Sequence, residues 1–141
     1  MRDSDRDGVA LMRALLWPDA SVEEHRKELD HVSGSLPSVI LVADDDGTAV
    51  AFLEVGLRSH ADGCDPARPV GFVEGWFVEE AYRLRGLGGE LMRAAEEWAR
   101  AQGCLEMASD TWIDHEVSQR AHQALGFEVV DRCVHFRKPL A

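Results

Sequence analysis

The chain has 141 residues, 45% of them hydrophobic, which suits one globular domain over residues 1–141 with its own core. Its formal net charge of −11 disfavours nucleic acid as a partner and favours cations, although acidity also serves solubility alone. No basic-then-apolar signal opens the sequence and no apolar run is long enough to span a membrane, so a soluble cytoplasmic protein without a membrane partner is expected.

In chain order, Asp5 to Leu16 carries Val9, Met12, Leu15 and Leu16 at helical spacing, and Pro18 marks the end of that helix. Ser21 and Glu24 form a capping box that opens a second, polar helix toward His31. Two apolar runs, Val39 to Val42 and Ala49 to Leu53, flank Asp44-Asp45-Asp46-Gly47, which reads as a hairpin turn rather than a metal loop. A loop from Ser59 to Pro69 leads to an apolar strand, Val70 to Val78. After the segment Arg83-Leu84-Arg85-Gly86-Leu87-Gly88-Gly89, a helix with Leu91, Ala95, Trp98 and Ala99 on one stripe runs to Gly103. Cys104 to Asp110 reads as a strand, and Asp114 caps a helix through Leu125 that Gly126 ends. Two closing strands are expected near Phe127 to Val130 and Cys133 to Arg137. The predicted order, ααββ-loop-βαβαββ, implies an α/β fold with a mixed sheet and helices on both faces. Three cysteines cannot all pair, so Cys64, Cys104 and Cys133 read as reduced, the last two in the core.

Strand, glycine loop and helix in succession make an anion site. The loop brings backbone close to a ligand, and the helix start presents unpaired N–H groups to it, most naturally for a pyrophosphate. Gly86-Leu87-Gly88 lacks the third glycine of a dinucleotide fingerprint, while Glu106, about twenty residues on, keeps a nucleotide reading open. No Lys-Ser or Lys-Thr follows the loop, which excludes a P-loop. Taken alone, a glycine-rich helix start can also be a simple structural cap. The order Arg83, Gly86, Gly88 resembles the Arg-x-x-Gly-x-Gly coenzyme A signature of the GCN5-related N-acetyltransferases.

Four further stretches make the resemblance specific: Leu16-Trp17-Pro18-Asp19, Phe72 to Val78, Ala108-Ser109-Asp110 and His122 to Phe127 are similar to segments of the aminoglycoside 6′-N-acetyltransferases. The resemblance implies the GNAT fold, a mixed, mostly antiparallel sheet with a central βαβ cofactor-binding unit. It implies acetyl coenzyme A as co-substrate, no metal, and direct acetyl transfer in a ternary complex to the 6′-amine of an aminoglycoside antibiotic, conferring resistance, by a homodimer. Carried onto this chain, Asp110 binds the reacting amine, Glu74 binds substrate or relays its proton, Trp17 walls the sugar site and Asp131 is a further acid. On the cofactor side, Trp76, Phe77 and Val78 offer backbone groups to the pantetheine arm, Arg83, Leu84, Arg85, Gly86, Leu87, Gly88 and Gly89 wrap the pyrophosphate, and His115 stands where those enzymes place an Asn.

The residues meet this chemistry on their own terms. An ammonium must lose a proton before its nitrogen can attack a thioester, so the site needs a carboxylate, and a polycationic substrate needs acids to hold it. Glu74 lies in an otherwise apolar strand and Asp110 ends the next one; each could instead be an outward-facing strand residue or a helix cap. No Ser-His-Asp or Cys-His arrangement suggests a covalent intermediate. His115-Glu116 is followed by Gln119, not by the second histidine of a zinc site. Three positions depart from the resembling enzymes or from the wider fold. His122 stands where many acetyltransferases of this fold have a Tyr, and reads as a leaving-group donor or as a ring packed beside Phe127. Ala61 replaces an aromatic residue, and a first strand is shortened or missing. Trp76, Trp98 and Trp112 read as core. Two alternatives stay open: transfer to another small polyamine, and a non-catalytic module binding coenzyme A or an antibiotic.

Overall fold

In a computed structural model, which describes residues 1–31 and 36–141, helix α1 (Arg6–Leu16) forms where the apolar spacing predicts it. It buries Val9, Ala10 and Met12 against the sheet. Helix α2 (Val22–Asp30) begins with the expected box: Ser21 accepts the Glu24 N–H at 3.2 Å, and the Glu24 carboxylate accepts the Ser21 N–H at 2.7 Å. Those bonds hold the Glu24 carboxyl below the usual range.

Strands β1 (Ser38–Asp45) and β2 (Thr48–Arg58) are joined through Asp46 and Gly47, both at positive φ, 49° and 87°. That is the backbone of a two-residue hairpin turn whose twist matches its strands. Asp44 accepts the Gly47 N–H at 3.0 Å, so the acidic run closes a turn. Strand β3 (Val70–Val78) pairs antiparallel with β2, α3 (Leu87–Ala101) crosses over, and β4 (Met107–Ser109) returns parallel to β3. The sheet order is β1-β2-β3-β4, with two antiparallel contacts and one parallel, the mixed α/β sheet the sequence predicts. On one face Ala51, Leu53, Val55 and Val73 pack on Leu91, Met92 and Ala95 of α3; on the other Phe52 packs on α1 and on Leu29 of α2. Helix α4 (Glu116–Ala124) follows β4.

Several expectations are corrected. The strand predicted from Cys104 to Asp110 shrinks to Met107–Ser109, because only these residues find partners on β3, at Gly71, Phe72 and Val73. Asp114 does not cap α4: its backbone carbonyl accepts the Glu116 N–H at 3.1 Å, and His115 takes the N-cap position without a side-chain bond. Neither closing strand forms. A strand needs an edge to pair with, and Phe127 to Ala141 pairs with none among the described residues, leaving Val130, Val134 and Phe136 exposed. Cys133 is likewise exposed rather than in the core, whereas Cys104 is buried. Trp112, also predicted as core, is exposed in the segment before α4. Among the described residues no strand precedes α1; the N-terminal ammonium donates to the Ile40 carbonyl of β1 at 2.8 Å.

Two local features open the centre of the sheet. Glu54 pairs with Gly75 and Val55 with Val73, so Glu74 is an extra residue in β3 with no opposite number, a β-bulge. The β3–β4 pairing also stops at Val73 and Ser109. From Glu74 to Val78, β3 keeps β2 on one side and has no strand on the other among the described residues.

Candidate active site

The gap left by β4 is lined by Trp76 and Val78 of β3, by Arg83, Leu84, Gly86, Leu87, Gly88 and Gly89 of the glycine loop, and by Ala121, Ala124 and Leu125 of α4. The hollow has a volume of about 240 Å³ and a largely apolar wall. Gly86 sits at φ 82°, which a side chain would strain, and starts α3 with its carbonyl accepting the Glu90 N–H at 3.0 Å. By helix geometry, the N–H groups of Leu87, Gly88 and Gly89 precede the first such bond and point out of the helix end. These donors, the positive end of α3 and the free side of β3 fit a long ligand with a phosphate at one end and amide groups along its arm. Gly88 has a different reason to be glycine: a Cβ there would stand 3.1 Å from the Trp76 ring.

The expected cofactor residues divide. Trp76, Val78 and Arg83 to Gly89 line or border the hollow, apart from Arg85, whose guanidinium lies 5.3 Å over the Tyr82 ring beside it. Arg83 donates from Nε to the Val78 carbonyl at 2.9 Å and lies 5.7 Å over Phe77. The Phe77 side chain turns to the α1 face, leaving its backbone on the strand. His115 sits at the start of α4, outside the lining. His122 packs: its ring lies edge-on to Trp76 at 5.2 Å and to Phe127 at 5.4 Å. Its Nδ1 donates to the Ser118 carbonyl at 2.7 Å, which leaves Nε2 to accept from the Ser109 hydroxyl at 2.8 Å.

The acids lie outside this lining. Glu74 is clasped by Arg58, Nε to Oε1 at 3.0 Å and Nη2 to Oε2 at 2.8 Å, and the guanidinium lies 3.5 Å over the Phe72 ring. Asp110 follows β4, is exposed, and makes no ion pair among the described residues. Because Ser109 is the last residue paired with β3, at Val73, Asp110 and Glu74 each stand one residue beyond the last rung, where the strands part. Trp17 joins them: its ring fills the space a side chain at Gly75 would need, 2.6 Å from an added Cβ. Asp131 lies exposed in the C-terminal stretch, where its carboxylate accepts only the neighbouring Arg132 N–H.

Two residues of this region carried no role in the sequence reading. Glu54 is an acid in an apolar strand, as Glu74 is, and that signal was there to be used. Its Oε1 lies 3.0 Å from Arg13 Nε without the alignment of a hydrogen bond, so the contact is electrostatic. Burial pushes the Glu54 carboxyl above its ordinary range, Arg13 pulls it down, and the Glu74 charge pushes it further up. Arg58 had no signal, since only strand register brings it to Glu74. Among the described residues, no helix is long and apolar enough to cross a membrane, and no group of His, Cys, Asp and Glu could hold a metal ion.

Residues 9–127 match the Acetyltransferase (GNAT) family. The chain belongs to that family. It is 43% identical over 133 residues to an aminoglycoside N(6′)-acetyltransferase type 1 of Klebsiella aerogenes, covering 92% of this chain and 87% of the relative. It is 42% identical to the enzyme of the same description from Serratia marcescens, covering 95% and 92%. Among solved structures, AAC(6′)-Iy in complex with the bisubstrate analog CoA-S-monomethyl-acetylneamine superposes with a TM-score of 0.86 at 34% identity, covering 99% of this chain and 95% of that one. Apo AAC(6′)-Ig of Acinetobacter haemolyticus gives 0.87 at 31%, covering 100% and 97%. The GNAT fold expected from the glycine loop is thus the fold of this acetyltransferase.

Proposed function

We propose that this GNAT acetyltransferase moves the acetyl group of acetyl coenzyme A to the 6′-amine of an aminoglycoside, conferring resistance. The observation that supports the reading is the parting of β3 and β4 after Val73 and Ser109, with the glycine loop and the free edge of β3 lining a hollow, Glu74 and Asp110 each one residue beyond the last rung, and Trp17 against Gly75. A thioester entering from the loop side and an amine entering from the acidic side meet in that gap. The N–C bond forms as the C–S bond breaks; the proton lost by the ammonium goes to a carboxylate or its bound water, and the departing thiolate takes one from solvent. Backbone N–H groups on the free side of β3 between Trp76 and Val78 would donate to the thioester carbonyl as its oxygen gains charge.

Within this reading the two acids differ. Asp110, unpaired, is the counterion for the reacting ammonium, and Glu74, bridged to Arg58, is a fixed negative wall that binds substrate or passes on its proton. The net charge of −11 suits a polycationic substrate. The site of action is the cytoplasm, where acetyl coenzyme A is made. The working unit is a homodimer: among the described residues Val134 and Phe136 stand exposed and the outer edge of β4 has no strand beside it, and a second copy supplies partners for both.

Release of free coenzyme A, followed with acetyl coenzyme A against aminoglycosides, polyamines and peptides, tests the proposal. Turnover confined to aminoglycosides with a 6′-amine, and a product carrying one acetyl on that nitrogen by NMR, is expected. Turnover of polyamines alone would overturn it.

A further inference from the structure

We propose that Glu54 is a positioning residue for the acceptor site, which through Arg13 fixes the Trp17 ring against Gly75, beside Glu74. The inference rests on the reading of Trp17 as a wall of the aminoglycoside site. Arg13 and Glu54 are largely buried, their side chains 12% and 16% exposed, and face each other at 3.0 Å. Arg13 also lies 5.2 Å over the Trp17 ring and reaches Glu28 at 3.3 Å. The indole is therefore held on one side by a cation that is itself anchored from below by a strand carboxylate. The ring also lies 6.1 Å from the His25 ring, whose Nε2 bonds the Trp17 backbone carbonyl at 3.0 Å, stands edge-on to Phe52, and rests on the bare backbone of Gly75.

Register supplies the rest. Glu54 is paired with Gly75 across β2 and β3, and the bulge at Glu74 is the adjoining residue. One sheet position thus sets both the depth of the tryptophan and the place of the acid next to it. An aliphatic pair in place of Arg13 and Glu54 would fill the volume, as buried ion pairs usually allow, but would not place a planar cation over the indole.

The test compares Glu54→Gln, the double variant Arg13→Met/Glu54→Leu and Arg13→Lys with a Trp17→Ala control, in steady-state kinetics on both substrates and in thermal melts. The expected result for Glu54→Gln and the double variant is an aminoglycoside KM raised at least about tenfold, with kcat within about threefold and the acetyl coenzyme A KM unchanged. Arg13→Lys, which keeps the charge, should show a smaller rise in the same constant. The double variant matters because an apolar pair preserves folding if Glu54→Gln does not. Lowered melting temperatures with wild-type KM values in the folded protein would make the pair merely structural and overturn the inference. If Trp17→Ala itself leaves the aminoglycoside KM unchanged, the wall reading falls and the inference with it. A rise in Trp17→Ala without one in the Glu54 variants overturns the inference alone.

Discussion

Arg58 grips Glu74 through two contacts of 3.0 and 2.8 Å while its guanidinium carbon lies 3.5 Å over the Phe72 ring. A fork of donors on a stacked plate fixes a carboxylate in direction as well as charge. The bulge at Glu74 presents it; the arginine holds it. Both side chains are near half exposure, so the pair adds little to folding, and in the proposed mechanism its effect belongs to the acceptor site.

A double-mutant cycle follows from this pairing. Glu74→Gln leaves Arg58 as a bare cation facing a polycationic substrate, so the aminoglycoside KM should rise about tenfold or more. Adding Arg58→Gln should bring it partway back, a coupling of the order of 1 kcal/mol. Arg58→Gln alone should lower kcat/KM about tenfold through a less fixed carboxylate, with stability changed by less than about 1 kcal/mol. Strictly additive effects on KM would show that the two side chains do not act as a unit.

The loop glycines separate by cause. Gly86→Ala forces a side chain into φ 82° and should cost about 1 kcal/mol of stability as well as cofactor affinity. Gly88→Val should leave the backbone unstrained but push the Trp76 ring from the wall of the hollow, weakening acetyl coenzyme A at least about tenfold, roughly 1.4 kcal/mol. Calorimetry and melting curves on both variants check the distinction. Equal stability losses with unchanged affinity would put the cofactor elsewhere.

How far the sequence revealed this site depends on the range of the interactions concerned. The capping box, the Asp46-Gly47 turn, α3 and the glycine loop depend on residues within one turn or strand of each other, and local spacing announces them. Trp17, Glu74 and Asp110 were reached by resemblance, and the structure brings Trp17 against the Glu74 strand and sets Asp110 at the parting of the strands. Arg58 and Arg13 were not reachable, because their partners lie across strand pairings and a helix-to-sheet contact. Apolar alternation from Phe127 onward read as strands because alternation carries no information about whether an edge is within reach. Asp114 failed as a cap for a smaller reason: its own backbone carbonyl, not its carboxylate, accepts the Glu116 N–H.

At the N-terminus, Asp5 is 3% exposed and accepts the Arg2 N–H at 2.7 Å together with the Arg2 guanidinium. The side-chain and backbone bonds from Arg2 hold its carboxyl below the usual range. A depressed folded value means stability that is present above the unfolded value, about 3.9, and lost as pH falls through the folded one. Asp5→Asn should therefore cost about 1 kcal/mol near neutrality, since Arg2 is solvent-exposed, and the gap from wild type should close on acidification below about pH 4. Urea melts at several pH values check it. A gap independent of pH would assign the loss to packing.

The C-terminal stretch poses the last question, that of assembly. Val130, Val134 and Phe136 are 63%, 68% and 93% exposed, and each large apolar side chain left in water forgoes about 1.5 to 3 kcal/mol of burial. Val134 and Phe136 alternate as residues on one face of a strand do, and the outer edge of β4 carries unpaired backbone groups. In the proposed homodimer a second copy would answer both needs at once, because a two-fold axis lets each arm cover the same surface on its partner. Light scattering should therefore give about twice 15.6 kDa for the chain. Val134→Asp/Phe136→Asp should give the monomer mass, because charge in a paired apolar strand is not tolerated. The variant should also lose thermal stability in a manner that no longer depends on protein concentration. A wild-type chain that stays monomeric at tens of micromolar would remove the dimer from the proposal and leave the acetyl-transfer site untouched.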